Sequence, residues 1–381
     1  MALSWCWAYG QESGADLVAM EWTLSSTSSA VMEPRTTHQY TYAGSPTRYS
    51  WAMDHGSWVR PPASAVGPQG AVAVAVYHDG VPQNGQYLLD TRGASNNRYV
   101  AAIMQATGAL DVYVDNTYKA TTAVIPWQGQ WHYVSLAYRM TTTTWAAKLY
   151  VDGVLLVSAT DSGVAQTDST VQITGAANGD RTQYLAQIAI FDDFGTTGEV
   201  ARFITRADVG ADVSETGTWT PTAPAVTNHA VVGGTFDAAT YTEEAAPTAA
   251  DEVRVAPAAD IATTLGISPS TIDGVCAHTF ALGLGHSARA DIGDGAATTT
   301  GTAGAISSAT TERHAMATTK PSGGSWTDCF TRCFAAAGAT SALYAQPHRL
   351  EPARNRSARA IESHPTRDPT RGVRIPLLAR I

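Results

Sequence analysis

Charge is scarce in this chain: of 381 residues only 15% are Asp, Glu, Lys or Arg, and 33 acidic against 24 basic side chains leave a net charge of −9. An acidic, thinly charged molecule offers no electrostatic footprint for nucleic acid or for an anionic membrane surface. Cysteine is scarcer still. Cys6, Cys276, Cys329 and Cys333 do not form the closely spaced set of a disulfide framework, and no second Cys or His pair at ligand spacing joins Cys329 and Cys333 to complete a zinc site. No apolar run approaches the roughly 20 residues that span a bilayer. The opening Met1-Ala2-Leu3-Ser4-Trp5-Cys6-Trp7 lacks the basic start and continuous apolar stretch of a signal peptide, so the expectation is a soluble protein not exported by a visible signal.

Catalytic motifs are missing too. Neither Gly-x-Ser-x-Gly nor a Walker-type Gly-Lys-Ser occurs, which removes sequence support for acyl transfer and nucleotide hydrolysis. Gly283-Leu284-Gly285-His286-Ser287-Ala288 matches a dinucleotide fingerprint by spacing, but Arg289-Ala290-Asp291-Ile292-Gly293-Asp294-Gly295 follows it. That continuation reads as a loop and not as a phosphate-facing helix. Lone histidines such as His132 and His278 sit in strand-like runs and read as hydrogen-bonded structural residues, not as ligands.

What the chain has in quantity is Ala, Thr, Gly and Val, a composition that favours strands over amphipathic helices. In Trp131-His132-Tyr133-Val134-Ser135-Leu136-Ala137-Tyr138-Arg139 the residues His132, Val134, Leu136 and Tyr138 share one face. Tyr133, Ser135, Ala137 and Arg139 share the other, the period of a sheet with one buried side. Trp145, Ala147, Leu149 and Val151 repeat the pattern before Asp152-Gly153 supplies a hairpin turn, and Val154-Leu155-Leu156-Val157 resumes at once. Upstream, Ala71 to Tyr77 alternates Val with Ala. Gln86 to Asp90, Tyr99 to Gln105 and Leu110 to Asp115 follow, separated by turns such as Gly93-Ala94-Ser95-Asn96-Asn97, the spacing of an antiparallel sandwich.

The Trp-His-x-Val-x-Leu-x-Tyr strand leading into Leu149-Tyr150-Val151-Asp152-Gly153 resembles the core of the laminin G-like branch of the concanavalin A-like jelly rolls. Gln187-Ile188-Ala189-Ile190-Phe191-Asp192 is similar to that family's late strand, and Thr197-Gly198-Glu199-Val200-Ala201-Arg202-Phe203 to its short closing helix. The resemblance covers roughly residues 1 to 210 and implies a fold better than a function. A second resemblance lies downstream. Thr319-Lys320-Pro321-Ser322-Gly323-Gly324-Ser325-Trp326-Thr327 is similar to a segment near the C-terminus of small β-domains in tailed-bacteriophage virion proteins, with Phe236-Asp237-Ala238-Ala239-Thr240-Tyr241 and Ile272-Asp273-Gly274-Val275 as earlier landmarks.

The fold class expected is therefore all-β: an antiparallel jelly-roll sandwich over 1–206, a linker over 207–227, a second, smaller β-sandwich-like domain over 228–343, and an Arg- and Pro-rich tail over 344–381. The linker reading rests on Asp, Ser, Thr, Gly and Pro, ending in Thr218-Trp219-Thr220-Pro221-Thr222-Ala223-Pro224. Strand-like runs in the second domain are Thr271 to Leu282, Thr298 to Ile306, Arg313 to Thr319 and Trp326 to Ala335. The tail has eight arginines and no lysine against two glutamates and one aspartate, a net charge of +5, and its five prolines forbid a continuous helix. An extended arm embracing a neighbour, a contact to packaged DNA, and reading-frame drift are its three readings. DNA ranks last, because no aromatic residue interleaves with the arginines after Arg349.

Together the two resemblances imply a non-enzymatic virion protein of a tailed phage or related particle, a surface decoration, spike, fibre or tail or neck appendage. Its expected partners are other virion proteins, copies of itself and host-surface glycans, with no membrane and no nucleic acid. A stand-alone carbohydrate-binding lectin is the alternative and a glycoside hydrolase the third. The hydrolase branch of the superfamily carries Glu-x-Asp-x-x-Glu on one strand, and this chain has no such run. Asp192 and Asp193 are adjacent and face opposite ways, a turn and a cap, while Glu243 and Glu244 lie in a Thr- and Ala-rich connection. Sugar recognition needs less: Asp or Asn for the hydroxyls, an aromatic plate, and often a hard cation such as calcium held by carboxylates. Loops bearing Asp111, Asp115, Asn116 and Tyr118, and Asn178, Asp180 and Arg181, supply such groups. The competing reading is that Asn and Asp here simply make turns.

Overall fold

In a computed structural model of the chain, residues 98–167 are described without a break, together with 50–53, 57–61, 65–80, 82, 85–93, 169–175, 183–192 and 194. Before these the described residues are 3–8, 17–18, 22–25, 33–35, 38, 41–42 and 45–46. After them they are 209–216, 220–221, 242–244, 252–257, 275–281, 287–293, 297–305, 311–317, 322–323 and 373–375. No helix among them is long and apolar enough to cross a membrane.

The first strands are β1 (Leu3–Ala8), β2 (Thr23–Ser25), β3 (Glu33–Arg35), β4 (Thr41–Tyr42), β5 (Ser45–Pro46), β6 (Ser50–Met53), β7 (Trp58–Arg60), β8 (Ala65–Val66) and β9 (Gln69–His78). There follow β10 (Gln86–Arg92), β11 (Arg98–Met104), β12 (Leu110–Val114), β13 (Thr117–Thr121), β14 (Trp131–Arg139), β15 (Thr144–Val151), β16 (Val154–Ser162), β17 (Ser169–Thr174) and β18 (Gln183–Phe191). All but β4 and β5, which pair with each other, build two antiparallel eight-stranded sheets. Sheet A runs β16-β15-β14-β9-β18-β6-β3 with β1 also on β18, and sheet B runs β13-β12-β11-β10-β17-β7-β2 with β8 also on β17. The consecutive hairpins β14–β15 and β15–β16 form one side of sheet A, whereas its centre pairs β9 with both β14 and β18, distant in sequence. The result is the antiparallel sandwich of a concanavalin A-like jelly roll.

The core follows from alternation. Val72, Val74 and Val76 of β9 meet Leu136, Val134 and His132 of β14 in register, and Leu136 meets Leu149 of β15. All of the apolar members are buried with Leu110, Val112 and Val114 of sheet B in one cluster. Trp145, Ala147, Leu149 and Val151 join it, as their shared parity requires. Gly70 sits where Tyr138 and β18 crowd the backbone. A Cβ there would lie 2.4 Å from the Phe191 carbonyl oxygen and 2.9 Å from the Tyr138 hydroxyl, so no larger residue fits without a shift.

One expectation needs correcting: sheet A is not buried on one side only. Ala71, Ala73, Ala75, Tyr133, Ala137, Ala186, Ala189 and Phe191 form a second buried cluster on the opposite face, and Ser135 between them is equally inaccessible. The small side chains that made this face look solvent-facing are what lets another layer approach it closely.

Beyond residue 207 the described strands pair in small antiparallel sheets: 275–281 with 311–317, 287–288 with 304–305, and 291–293 with 298–300. Ser287–Ala288 and Asp291–Gly293 being strands, the Gly-rich run before them leads into no helix there. The stretch read as a linker holds the strand Val209–Thr216, paired with Glu252–Pro257, and Thr220–Pro221, paired with Thr242–Glu244. Val and Ala at 209, 211 and 213 carry a strand period that the interleaved Asp, Ser and Gly disguised. Glu243 and Glu244 thus lie in a strand, not a connection, and Val373–Ile375 of the tail pairs with the same strand. The expected closing helix at 197–203, the run 326–335 and the landmark 236–241 lie outside the described residues.

Candidate functional site

The outer face of sheet B carries the polar and aromatic residues that its strands do not commit to the core. Because Val100, Ala102, Val112 and Ala120 point inward, their neighbours form two adjacent rows across the sheet. In one row Thr121, Asp111, Ile103 and Tyr87 are successive register partners on β13, β12, β11 and β10. In the next, Tyr118, Tyr113, Ala101, Asp90 and Gln172 continue across to β17. A bulge between Val112 and Tyr113 turns Lys119 out of the row. Its ammonium instead pairs with Asp161 of β16, joining the two sheets at their edge.

At the open end of this face two tyrosines meet. Tyr118, 51% exposed, meets the Tyr113 ring edge-on, with centroids 5.8 Å apart and planes at 70°. Burial, the Asp111 charge and the neighbouring Tyr87 and Tyr118 hydroxyls push the Tyr113 phenol above its ordinary value, so it remains a neutral donor. Hydrogen bonds fix the arrangement. Gln105 donates to Asp111 Oδ2 and Thr121 Oγ1 to Asp111 Oδ1 at 2.6 Å. Thr121 has spent its one proton there, so the 2.9 Å contact to Tyr118 must be donated by the Tyr118 hydroxyl. The Tyr118 oxygen keeps its lone pairs for an outside donor.

The other end of the face is cationic. Arg92 holds the buried Asp90 carboxylate with Nε at 3.2 and 3.0 Å and Nη2 at 2.7 Å. Burial raises the Asp90 carboxyl, while the Arg92 hydrogen bonds and the charges of Arg92, Arg98 and Arg60 pull it back down. Arg60 grips the Gln172 side chain at 2.9 and 3.1 Å and lies over the Trp58 ring. Arg98 stacks on Tyr87, its guanidinium carbon 3.5 Å from the ring centroid.

A second aromatic group stands on sheet A. His38 packs against Tyr77 and Tyr184 at 4.6 and 4.2 Å, Tyr77 against Trp131 at 5.5 Å, and Asp79 accepts from Tyr184 at 3.1 Å and pairs with His38. The chain's own imidazole fills this box.

The expected site residues divide. Asp111 and Tyr118 come together through Thr121, but on strands and not on loops; Asp111 is nearly buried and accepts from Gln105 and Thr121 through its two oxygens. Asp115 and Asn116 are the two central residues of the β12–β13 hairpin, with φ of 49° and 59°, so the turn-making reading describes them. Asn178, Asp180 and Arg181 lie outside the described residues. Tyr87, Tyr113, Arg98, Thr121 and Gln105 were missed. Strict alternation along Leu110–Val114 would have placed Tyr113 beside Asp111, and nothing short of the β10–β11 register would have found Tyr87 and Arg98. Among the described residues no three His, Cys, Asp or Glu side chains gather to hold a metal ion.

His132 behaves as the sequence suggested. Its Nδ1 meets Asp152 Oδ2 at 2.7 Å and its Nε2 the Pro126 carbonyl at 3.2 Å, while Asp152 Oδ1 accepts the Tyr133 N–H at 2.8 Å. The pair locks the β15–β16 turn to the start of β14.

No curated protein matches the chain. Among solved structures, a sialidase aligns at 12% identity and a TM-score of 0.35, over 50% of this chain and 19% of the sialidase, so the chain spans about a fifth of that protein. The carbohydrate-binding module CBM66 from Bacillus subtilis aligns at 11% identity and 0.31, over 45% of this chain and 96% of the module. Lectin II from Ulex europaeus aligns at 10% and 0.32, over 50% of this chain and 100% of the lectin. Residues 55–201, which hold both sheets' central strands and every described residue of the tyrosine face, match the family described as the concanavalin A-like lectin/glucanases superfamily, Laminin_G_3, and over that span the chain is similar to it.

Proposed function

We propose that this chain binds carbohydrate, without cleaving it, on the outer face of sheet B. The observation that carries the reading is Tyr118: a half-exposed ring, edge-on to Tyr113, held by the Gln105–Asp111–Thr121 relay with its oxygen open as an acceptor. Rings stack on the apolar faces of sugars and phenol oxygens bond their hydroxyls, and prior fixation of the side chains reduces the entropy lost on binding. Hydrolysis would need two carboxylates flanking the bond. On this face Asp111 has committed both oxygens and Asp90 is buried under Arg92. Affinity electrophoresis through gels loaded with neutral and acidic polysaccharides tests the reading. Retardation that Tyr118→Ala reduces, without release of reducing ends, supports it; reducing-end release abolished by changing a single Asp or Glu overturns it.

The setting we propose is the surface of a tailed-phage or related particle, with the sandwich as the exposed binding unit. The segment Pro321 to Thr327 supports this, and a secreted lectin is the alternative. Detection of the chain in purified particles at stoichiometric amounts would favour the first; its recovery only as free protein would favour the second.

A further inference from the structure

Resting on that reading, we infer that the glycan is acidic, and that Arg98 receives its carboxylate. Among the described residues the acid paired with Arg98 is Asp90, which the fork of Arg92 already holds through both oxygens, and the Arg98 Nε stands 3.6 Å from Asp90 Oδ2, beyond hydrogen-bond length. That Nε is buried and so out of a ligand's reach, and Nη1 donates to the Tyr87 hydroxyl at 2.6 Å, which leaves the remaining Nη donors for an outside carboxylate. A guanidinium carries five donors, and the strongest use of them is bidentate pairing with a carboxylate. Stacking on Tyr87 fixes its plane, and the side chain is 32% exposed, so a ligand reaches it while the buried parts stay put.

Position supplies the rest. Tyr87 on β10 and Tyr113 on β12 stand two strands apart, roughly 10 Å, the reach of a short oligosaccharide lying across β11. On β11 between them stand Ile103, the register partner of Tyr87, and Ala101, that of Tyr113, both buried, so the sugar contacts are left to the flanking side chains. Asp111 repels an anion at the Tyr113 and Tyr118 end. A uronate-containing oligosaccharide would therefore lie with one sugar ring over Tyr113 and Tyr118 and the carboxylate of another sugar on Arg98.

The test compares polygalacturonate with its methyl ester, which keeps the sugar and removes the charge, together with a neutral β-glucan, by titration calorimetry on the full chain. The expected result is that the acid binds roughly tenfold or more tighter than the ester, as a charge-assisted pair requires. Arg98→Gln should abolish the preference while leaving the weaker binding of the ester, and Arg98→Lys, which keeps the charge but not the fork, should restore only part of it. An unchanged thermal midpoint in both variants separates recognition from folding. Equal binding of acid and ester, or a preference that survives Arg98→Gln, overturns this inference and leaves the glycan reading standing. Failure of every polysaccharide to bind overturns both.

Discussion

At the scale of single residues, two histidines about one tryptophan respond to pH in opposite senses. His78 and His132 both lie edge-on to Trp127, with centroids 5.7 and 5.1 Å away. Burial, then the nearby His132, lowers the His78 pKa to about 4. Because the unfolded chain protonates His78 near 6.5, its contribution to stability falls as pH drops from 6.5 toward 4, by roughly 3 kcal/mol at the lower end. For His132 burial pulls downward but is outweighed by the hydrogen bonds to Asp152 and the Pro126 carbonyl and by the Asp152 charge, so its pKa is raised. Asp152, despite burial, is lowered by the His132 and Tyr133 hydrogen bonds and the His132 charge. The pair's ionic contribution is thus complete below the ordinary histidine value and fades as pH rises through the raised one; on the acid side it fades as pH falls through the lowered Asp152 value. Thermal unfolding from pH 4 to 9 should show His132→Gln costing more near pH 5 than near pH 9, and His78→Phe flattening the acid limb. A parallel offset at all pH values would contradict both assignments. Leu136, wholly buried between Val72 and Leu149, sets the scale for packing: Leu136→Ala should cost roughly 2 to 5 kcal/mol, read from denaturant unfolding.

At the scale of elements, the two hairpins show which part of the site was legible. Asp152-Gly153 and Asp115-Asn116 both take positive φ at both central residues, the geometry that matches strand twist. Asp-Gly announces itself, and the β14–β15–β16 meander with its one-face sets was readable from alternation alone. Asp115-Asn116 announces itself less, since the same polar residues serve turns and ligands; the structure shows the turn. Asn116→Gly should therefore be neutral or mildly stabilising and Asn116→Val should cost on the order of 1 to 2 kcal/mol, with Tyr118 displaced as the hairpin loosens. Loss of glycan binding in Asn116→Gly with stability unchanged would instead make Asn116 a ligand-facing group. Tyr87 and Arg98 were illegible for a different reason: both sit at bulges of the β10–β11 pair, where the register shifts between Tyr87 and Leu89 and between Thr91 and Arg92. Period-two counting from sequence fails at each extra residue. The strand inside the supposed linker, Val209–Thr216, carries two register shifts of its own, but there it was the interleaved Asp, Ser and Gly that disguised the period.

At the scale of the molecule, the sandwich buries both faces of the centre of sheet A and the middle of sheet B, and leaves open the end of sheet B where Tyr118 stands. The proposed binding would centre there, with Asp111, nearly buried, holding Thr121 and Tyr118 in place. Asp111→Asn removes the charge but keeps the shape; it should weaken glycan affinity several-fold through a loosened Tyr118 while the thermal midpoint changes little. The account's central claim is the location of the site, and amide chemical-shift mapping during polysaccharide-fragment titration tests it most directly. The account predicts that the saturating shifts cluster on residues 86–90, 98–103, 111–113 and 117–121 of sheet B. Shifts confined instead to the His38, Tyr77, Trp131 and Tyr184 box on sheet A, or to segments outside both, would contradict it.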